Sequence, residues 1–446
     1  MAARRSQQSL PRVVASGEPI TDWRLGRLQF RPSHVPANWE LAPIVTVARL
    51  ESGHTPSRKR PEYWNGDIPW VSLHDTKYLD VRELYETQQM ISHVGLNNSS
   101  ARLLPRGTVV FSRTATVGKC TVIGREMATS QDFANYVCGP KLHNHYLVQL
   151  FRHLEPEWQR LMAGSTHSTV YMPVFEQLQV LLPPVEEQRK IADILHSIDD
   201  VIEKTEGVIE QLQVVKRSIM QELLTRGLPG RHTRFKKTEI GEIPEEWQQV
   251  TLGAAGRWLS GGTPSKQDPT LWSGDLPWVS PKDMKRSRIS DAIDHIAHKA
   301  LGRGTQLAPV GSILMVVRGM ILAHTFPVAI TMAPVAFNQD IKALVAGEGF
   351  EPEFLLYWLE LRSSDVLRLV DVANHGTKRL PTELLFASLV PKPPLEEQRS
   401  VTAILRSADR RREIELKALQ DLRFVKSALM SVLLTGELRV TPNQDA

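Results

Sequence analysis

The longest regular pattern in the chain is a stripe of apolar positions spaced alternately four and three residues apart. It runs through Ile191, Leu195, Ile198, Ile202, Thr205, Ile209, Leu212, Lys216, Ile219 and Leu223. That spacing keeps one helix face apolar over many turns and is the seam of a coiled coil. The stripe returns 210 residues later as Val401, Leu405, Ala408, Arg412, Glu415, Leu419, Leu422, Lys426, Leu429 and Leu433, apolar at both ends and polar near the middle. Pro183-Pro184 and Pro393-Pro394 mark where the two helices begin, since proline is tolerated only before or within a first helical turn. Glu186-Glu187 and Glu396-Glu397 put negative charge at the positive helix end, and Gly227 and Gly436 close the helices. Each predicted helix has ~40 residues and spans ~60 Å. Two such stripes bury each other most simply as an intramolecular coiled coil. A partner helix on each seam is the other solution; the polar Arg412 and Glu415 either fix register or face a partner subunit.

Ahead of each helix the pattern is mixed. Gly107–Ser112 and Gly311–Val317 are short apolar runs bounded by turn residues and predict buried strands. Leu147–Met162 and Phe350–Val372 carry apolar residues at helical spacing and predict helices. Each mixed segment is therefore an α+β globule.

The globules repeat as well. Val35-Pro36-Ala37-Asn38-Trp39 returns 208 residues later as Ile243-Pro244-Glu245-Glu246-Trp247. At the same offset Ser52-Gly53-His54-Thr55-Pro56-Ser57 returns as Ser260-Gly261-Gly262-Thr263-Pro264-Ser265. So does Trp64-Asn65-Gly66-Asp67-Ile68-Pro69-Trp70-Val71-Ser72, as Trp272-Ser273-Gly274-Asp275-Leu276-Pro277-Trp278-Val279-Ser280. Gln131-Asp132 returns as Gln339-Asp340, and His167 and Thr169 as His375 and Thr377. A period this long is a duplicated domain pair, not a solenoid. Residues 74–128 share little with 282–336, so the frame repeats while the content varies. Two readers of different targets would look like this, and so would drift after duplication.

Composition narrows the class. A chain of 446 residues holds roughly two to four domains. Its two cysteines, Cys120 and Cys138, exclude a disulfide framework and read as buried thiols. No Cys/His cluster has metal-ligand spacing. The most apolar stretch, Ile313–Phe337, is broken by Arg318, His324 and Pro327, short of the ~20 clean residues a membrane span needs. Arg4, Arg5 and Arg12 precede no apolar core, so no secretory signal is expected and the protein is expected in the cytoplasm. The net charge of +5 is concentrated in residues 1–31, where six arginines face Glu18 and Asp22. Any anion-binding surface on the body must be a local patch.

The order globule, Pro-Pro-x-Glu-Glu-Gln-Arg helix, globule, Pro-Pro-x-Glu-Glu-Gln-Arg helix resembles the DNA-specificity subunit of type I restriction-modification systems. The helix starts Pro183–Arg189 and Pro393–Arg399 carry the likeness, with the Ser-Gly-x-Thr-Pro-Ser and Trp-x-Gly-Asp-x-Pro-Trp-Val-Ser elements and the Gln-Asp pair, over roughly residues 35–437. The resemblance implies an α+β protein with a pseudo-twofold internal repeat, its two target-recognition globules joined by two long antiparallel coiled-coil spacer helices. The expected order is a basic, poorly ordered tail over 1–34, a first recognition domain over 35–182, a spacer helix over 183–227 and a linker over 228–242. A second recognition domain over 243–392, a spacer helix over 393–436 and a tail over 437–446 follow. Each globule would read one half of a split, asymmetric site on double-stranded DNA. The helices would set the gap and dock two methyltransferase subunits, joined by motor-nuclease subunits. The chain itself would be non-catalytic and bind no cofactor, with S-adenosylmethionine in the methyltransferase and ATP and Mg in the motor-nuclease. A methylation-only or related restriction complex, or a coiled-coil scaffold that binds no DNA, are the alternatives.

A half-site reader needs cations for phosphates and a few side chains for base edges. The candidates in the first globule are Arg58, Lys59, Arg60, Lys77, Arg113 and Lys119. In the second they are Lys266, Lys282, Lys285, Arg286, Arg288, Arg318, Lys378 and Arg379. Arg113 and Arg318 follow corresponding strands. Trp64, Trp70, Trp272 and Trp278 suit packing better than base stacking. Catalytic patterns fail: there is no Asn/Asp-Pro-Pro-aromatic tetrapeptide, Gly302-Arg303-Gly304 is too short a match for a cofactor loop, and Gly118-Lys119-Cys120 lacks both the upstream glycine and the hydroxyl residue of a phosphate loop. Asp340-Ile341-Lys342 suggests a nuclease pair, but its mate Asp132-Phe133-Ala134 lacks the lysine, and metal-assisted cleavage needs clustered carboxylates. The repeated His167 and His375 read as structural.

Overall fold

The computed structural model describes residues 15–18, 34–163, 168–372 and 376–440. Most of the basic tail, the end of the C-terminal tail, and His167 and His375 lie outside them. The chain forms two compact units, Met1–Glu206 with Ala418–Ala446, and Gly207–Lys417. The boundaries fall inside the two long helices, Val185–Arg226 and Leu395–Leu433. Each unit therefore contains one globule, the first part of one long helix and the last part of the other.

In unit 1 a five-stranded sheet has the order Ala48–Ser52, Phe133–Cys138, Val109–Ser112, Cys120–Ile123, Glu83–Leu84. All neighbours are antiparallel except the last pair. The three inner strands are largely apolar and buried, and Val109–Ser112 is the one among them predicted from sequence, as the run Gly107–Ser112. Asn144–His153 covers one face, burying Tyr146, Leu147, Leu150 and Phe151. A smaller sheet joins Met90–Ile91, Trp64–Val71 and Ala128–Thr129. Glu40–Pro43 pairs with Gln179–Leu182 and so brings the start of the globule to the start of the long helix.

Unit 2 repeats this plan. Its five-stranded sheet runs Gly256–Ser260, Ile341–Ala346, Ile313–Val316, Val328–Thr331, Arg288–Ile289, again with only the last pair parallel. Pro352–Leu361 is the covering helix. Thus residues 74–128 and 282–336, which share little sequence, build the same sheet. Both predicted globule helices are broken. Leu147–Met162 divides at Leu154 into Asn144–His153 and Glu155–Met162, because Pro156 restarts the chain. The stretch Phe350–Val372 divides into Pro352–Leu361 and Ser363–Leu367, and Asp371–Val372 is a strand.

The long helices run antiparallel within each unit. Every seam position is buried or half-buried, while Val201, Val208, Val214 and Val215, off the seam, are exposed. In unit 1 Asp199 meets Lys426 at 2.6 Å, and in unit 2 Asp409 meets Lys216 at 2.6 Å. The two polar seam lysines are thus cross-helix ion-pair partners. Glu415 pairs along its own helix with Arg411 at 2.6 Å. Gly227 takes a left-handed φ of 77° directly after the first helix, whereas Gly436, at φ 76°, stands three residues beyond Leu433.

Candidate nucleic-acid interface

The repeated motifs converge at one end of the large sheet in each unit. Thr55 Oγ1 donates to Gln131 Oε1 at 2.6 Å, and Thr263 Oγ1 to Gln339 Oε1 at 2.6 Å. Trp70 Nε1 donates to His54 O and Trp278 Nε1 to Gly262 O, both at 3.0 Å. Trp64 and Trp272 reach Ser57 O and Ser265 O, and each packs edge-on against its partner tryptophan with ring centres 5.1 Å apart. The four tryptophans therefore lock the Ser-Gly-x-Thr-Pro-Ser loop to the small sheet. Glycine is required here by close approach: a Cβ at Gly53 would lie 2.2 Å from Ser130 O, and one at Gly261 2.0 Å from Asn338 O. Ser72 and Ser280 each bond Asp75 or Asp283 three residues on, by backbone and hydroxyl.

On this shared frame the loop after the central strand differs. In unit 1 Arg113 N donates to Asp132 O and Val170 N to Arg113 O. In unit 2 the same two bonds are made by Val317, with Asp340 and Leu380. Val317, not Arg318, is thus the structural mate of Arg113, and the mate of Arg318 is Thr114. Each of these two forms an isolated bridge, Thr114 with Thr169 and Arg318 with Arg379.

The candidate cations fall into distinct settings. Half-buried Arg113 directs Nε and Nη2 at Gln131 O, at 2.9 and 2.7 Å, and Nη1 at Val170 O at 3.4 Å. Burial lowers its pKa from the ordinary arginine value, and its guanidinium acts as a clamp between loops. Arg58 lies over the Trp64 ring at 4.6 Å and donates to Gln89 Oε1, while Lys59 and Arg60 are exposed beside it. Lys119 is paired with Asp80. Lys77 covers the Tyr78 ring at 4.7 Å and lines a polar groove with Asp80, Arg152, Asp199 and Lys426. Lys282 pairs with Asp294 at 2.7 Å. Lys266, Lys285 and Arg286 are exposed. Arg288 is half-buried on the sheet's edge strand and meets Glu353 of the covering helix at 2.6 Å. Arg318, Lys378 and Arg379 come together: Gly319 N donates to Lys378 O at 3.0 Å and Arg318 bridges Arg379.

Other features find structural roles. Asp340 Oδ2 accepts from Asn338 Nδ2, and Lys342 Nζ donates to Ser260 Oγ, so the Asp-Ile-Lys triplet belongs to a turn and a strand pair. Among the described residues no group of three or more His, Cys, Asp or Glu is placed to hold a metal ion. Cys120 is buried but Cys138 only half so, because its end of the strand is less covered; desolvation pushes their thiols up to about 11 and about 12. Two pairs are not evident from sequence. Glu187 Oε2 accepts from Trp39 Nε1 at 3.0 Å, and Glu397 Oε2 from Trp247 Nε1 at 3.1 Å. Gln188 and Gln398 each bind the turn before the covering helix, donating to Lys141 O or Gly349 O and accepting from His143 N or Glu351 N. The Glu-Gln pair at the start of each long helix is therefore a clasp between helix and globule. The repeated Trp at 39 and 247 is its visible signal.

Comparison with known proteins agrees with this duplicated plan. A family model described as the type I restriction modification DNA specificity domain matches residues 36–214 and again 244–423. The specificity subunit of the Escherichia coli type I restriction enzyme EcoR124I/EcoR124II is 30% identical over 249 residues, 55% of this chain and 59% of that one. The specificity subunit of the Methanocaldococcus jannaschii type I restriction enzyme MjaVIII is 25% identical over 436 residues, 92% of this chain and 96% of that one. The match thus spans less than two thirds of the E. coli relative and nearly all of the archaeal one. Among solved structures, a chain from work on complex assembly and conformational transition of the type I R-M system shares the fold with TM-score 0.58 and 16% identity, over 91% of this chain and all of that one. The S subunit of a type I restriction-modification system from M. genitalium does so with TM-score 0.53 and 14% identity, over 89% of this chain and 96% of that one. With two copies of its domain covering most of the length, the chain belongs to the type I restriction-modification DNA-specificity family.

Proposed function

We propose that this chain is the DNA-reading subunit of a type I restriction-modification complex. Each unit binds one half of a bipartite site, and the long helices dock methyltransferase subunits, with motor-nuclease subunits completing the restricting form. The carrying observation is the same frame presenting different chemistry at the same place. Unit 1 places Thr114, Ala115 and Thr116 after its central strand, and unit 2 places Arg318, Gly319 and Met320 there. A scaffold needing only rigidity has no use for that difference, whereas two half-sites of different sequence require it. Support for docking on the helices comes from their apolar outer residues. Phe424 is 75% exposed in unit 1, and Val214 is 67% exposed in unit 2. Methyl transfer and ATP-driven steps, with S-adenosylmethionine, ATP and Mg, are assigned to the partners.

Footprinting of the complex assembled with its methyltransferase tests this reading. Two protected blocks separated by roughly one helical turn are expected. One contiguous block contradicts it.

A further inference from the structure

Beyond its central strand, unit 2 forms a single 3-10 turn, Met320–Ala323. Gly319, at φ 134°, leads into it in a conformation that side-chain-bearing residues avoid. The turn is fastened from both sides. Gly319 N donates to Lys378 O, Arg318 N approaches Asp340 O at 3.3 Å, and Leu322 is buried in the main core. What it leaves outside is apolar: Met320 is 63% exposed and Ile321 36%. Val372, paired with Lys378 in the adjoining strand pair, is 62% exposed. Three cations, Arg318, Lys378 and Arg379, flank these side chains, and Asp371 opposite Arg379 is the acid of the same ribbon. The fold does not demand an apolar side chain at Met320, because unit 1 has Thr116 in the corresponding place.

Cations alone suit any phosphate, and an apolar tip alone suits any apolar surface. Their combination matches a duplex groove, where phosphates line the rims and the thymine 5-methyl is the apolar feature of the base edges. We propose that Met320 and Ile321 read a thymine methyl in the half-site bound by unit 2, with Arg318, Lys378 and Arg379 on the neighbouring phosphates. This inference rests on the DNA-reading role proposed above.

The test uses the full chain assembled with its methyltransferase. That half-site is identified by exchanging residues 243–392 for those of a relative. Duplexes then carry uracil in place of each of its thymines in turn, which removes only the 5-methyl. At one position binding should weaken about fourfold, the effect of losing one buried methyl-sized group. In the double variant Met320→Gln, Ile321→Gln the thymine and uracil duplexes should bind equally. Thymine and uracil duplexes that bind the unaltered complex equally overturn the proposal. So does a half-site without an A·T pair, or a uracil effect that persists in the double variant. Loss of methyltransferase assembly in that variant, with its thymine preference intact, identifies a protein partner on the tip and also overturns it. A complex that binds no DNA instead defeats the reading on which the proposal rests.

Discussion

Glu187 illustrates how single residues hold this molecule together. Its side chain is 4% exposed and accepts hydrogen bonds from Trp39 Nε1, from Arg439 Nε and Nη2 at 2.9 and 2.8 Å, and from Val440 N. Burial alone would raise its pKa, but the bonds from Arg439, Trp39 and Val440 outweigh burial and hold it below the ordinary carboxylate range. A lowered folded-state pKa gives stability that is present above the unfolded value, ~4.3, and is lost as pH falls through the folded value. Arg439→Ala leaves the buried carboxylate without its ion-pair partner and should cost roughly 3 kcal/mol at neutral pH. Denaturant titrations at several pH values should show the gap between variant and parent narrowing below about pH 4. A gap that is independent of pH would contradict the assignment. In unit 2, His232 Nε2 takes the corresponding place against Glu397 at 2.8 Å. The letters of this clasp are visible in the sequence as a repeated Trp and a repeated Glu-Gln, but Arg439 and His232 are not repeated letters. No local pattern links Arg439 to a glutamate 252 residues away. The cations are equally hard to sort, since Arg113 and Arg288 look like their exposed neighbours in sequence, and only the fold turns one toward backbone carbonyls and the other toward Glu353.

At the scale of elements, the long helices are the most legible part of the chain. A heptad seam sums over some forty residues, so local deviations such as Lys216 and Lys426 do not hide it. Those deviations are cross-helix ion-pair partners, placed to fix register. Lys426 and Asp199 are 17% and 27% exposed, and Gln149 Nε2 donates to Asp199 as well. In unit 2 Tyr357 OH donates to Asp409, and Lys216 also reaches Glu360 at 3.2 Å. A half-buried pair of this kind should couple by about 1–2 kcal/mol in a double-mutant cycle. We expect Asp199→Asn and Lys426→Met each to destabilise unit 1, and the double variant to recover part of the loss. Strict additivity in thermal unfolding would show that the pair does not fix register. The shorter globule helices are less legible because apolar spacing continues through Pro156 and through Arg362, where the chain actually breaks. The sheet register of the divergent segments is not legible at all. Its strands are four residues or so long, and pairing is decided by partners far along the chain.

At the scale of the molecule, duplication is the property from which the rest follows. Each unit carries its own five-stranded sheet, tryptophan-locked loop and Glu-Gln clasp, so neither needs the other's frame to present its divergent loop. This separation is readable from repeated motifs at an offset of 208 residues; the change to 210 before the second helix comes from a different number of residues between frame anchors. A separate, compensated change of length inside the divergent segment shifts the loop after the central strand, and it conceals that Val317 stands where Arg113 stands, because the 208-residue offset is restored at Gln131 and Gln339. If each unit is an independent reader, exchanging residues 35–182 for the matching segment of a relative should alter one half of the recognised site and leave the other unchanged. The decisive measurement is methylome sequencing of cells carrying the complete system, before and after that exchange. The expected result is a bipartite motif with a nonspecific gap, of which only one half changes; a continuous motif, or a change in both halves, would contradict the account.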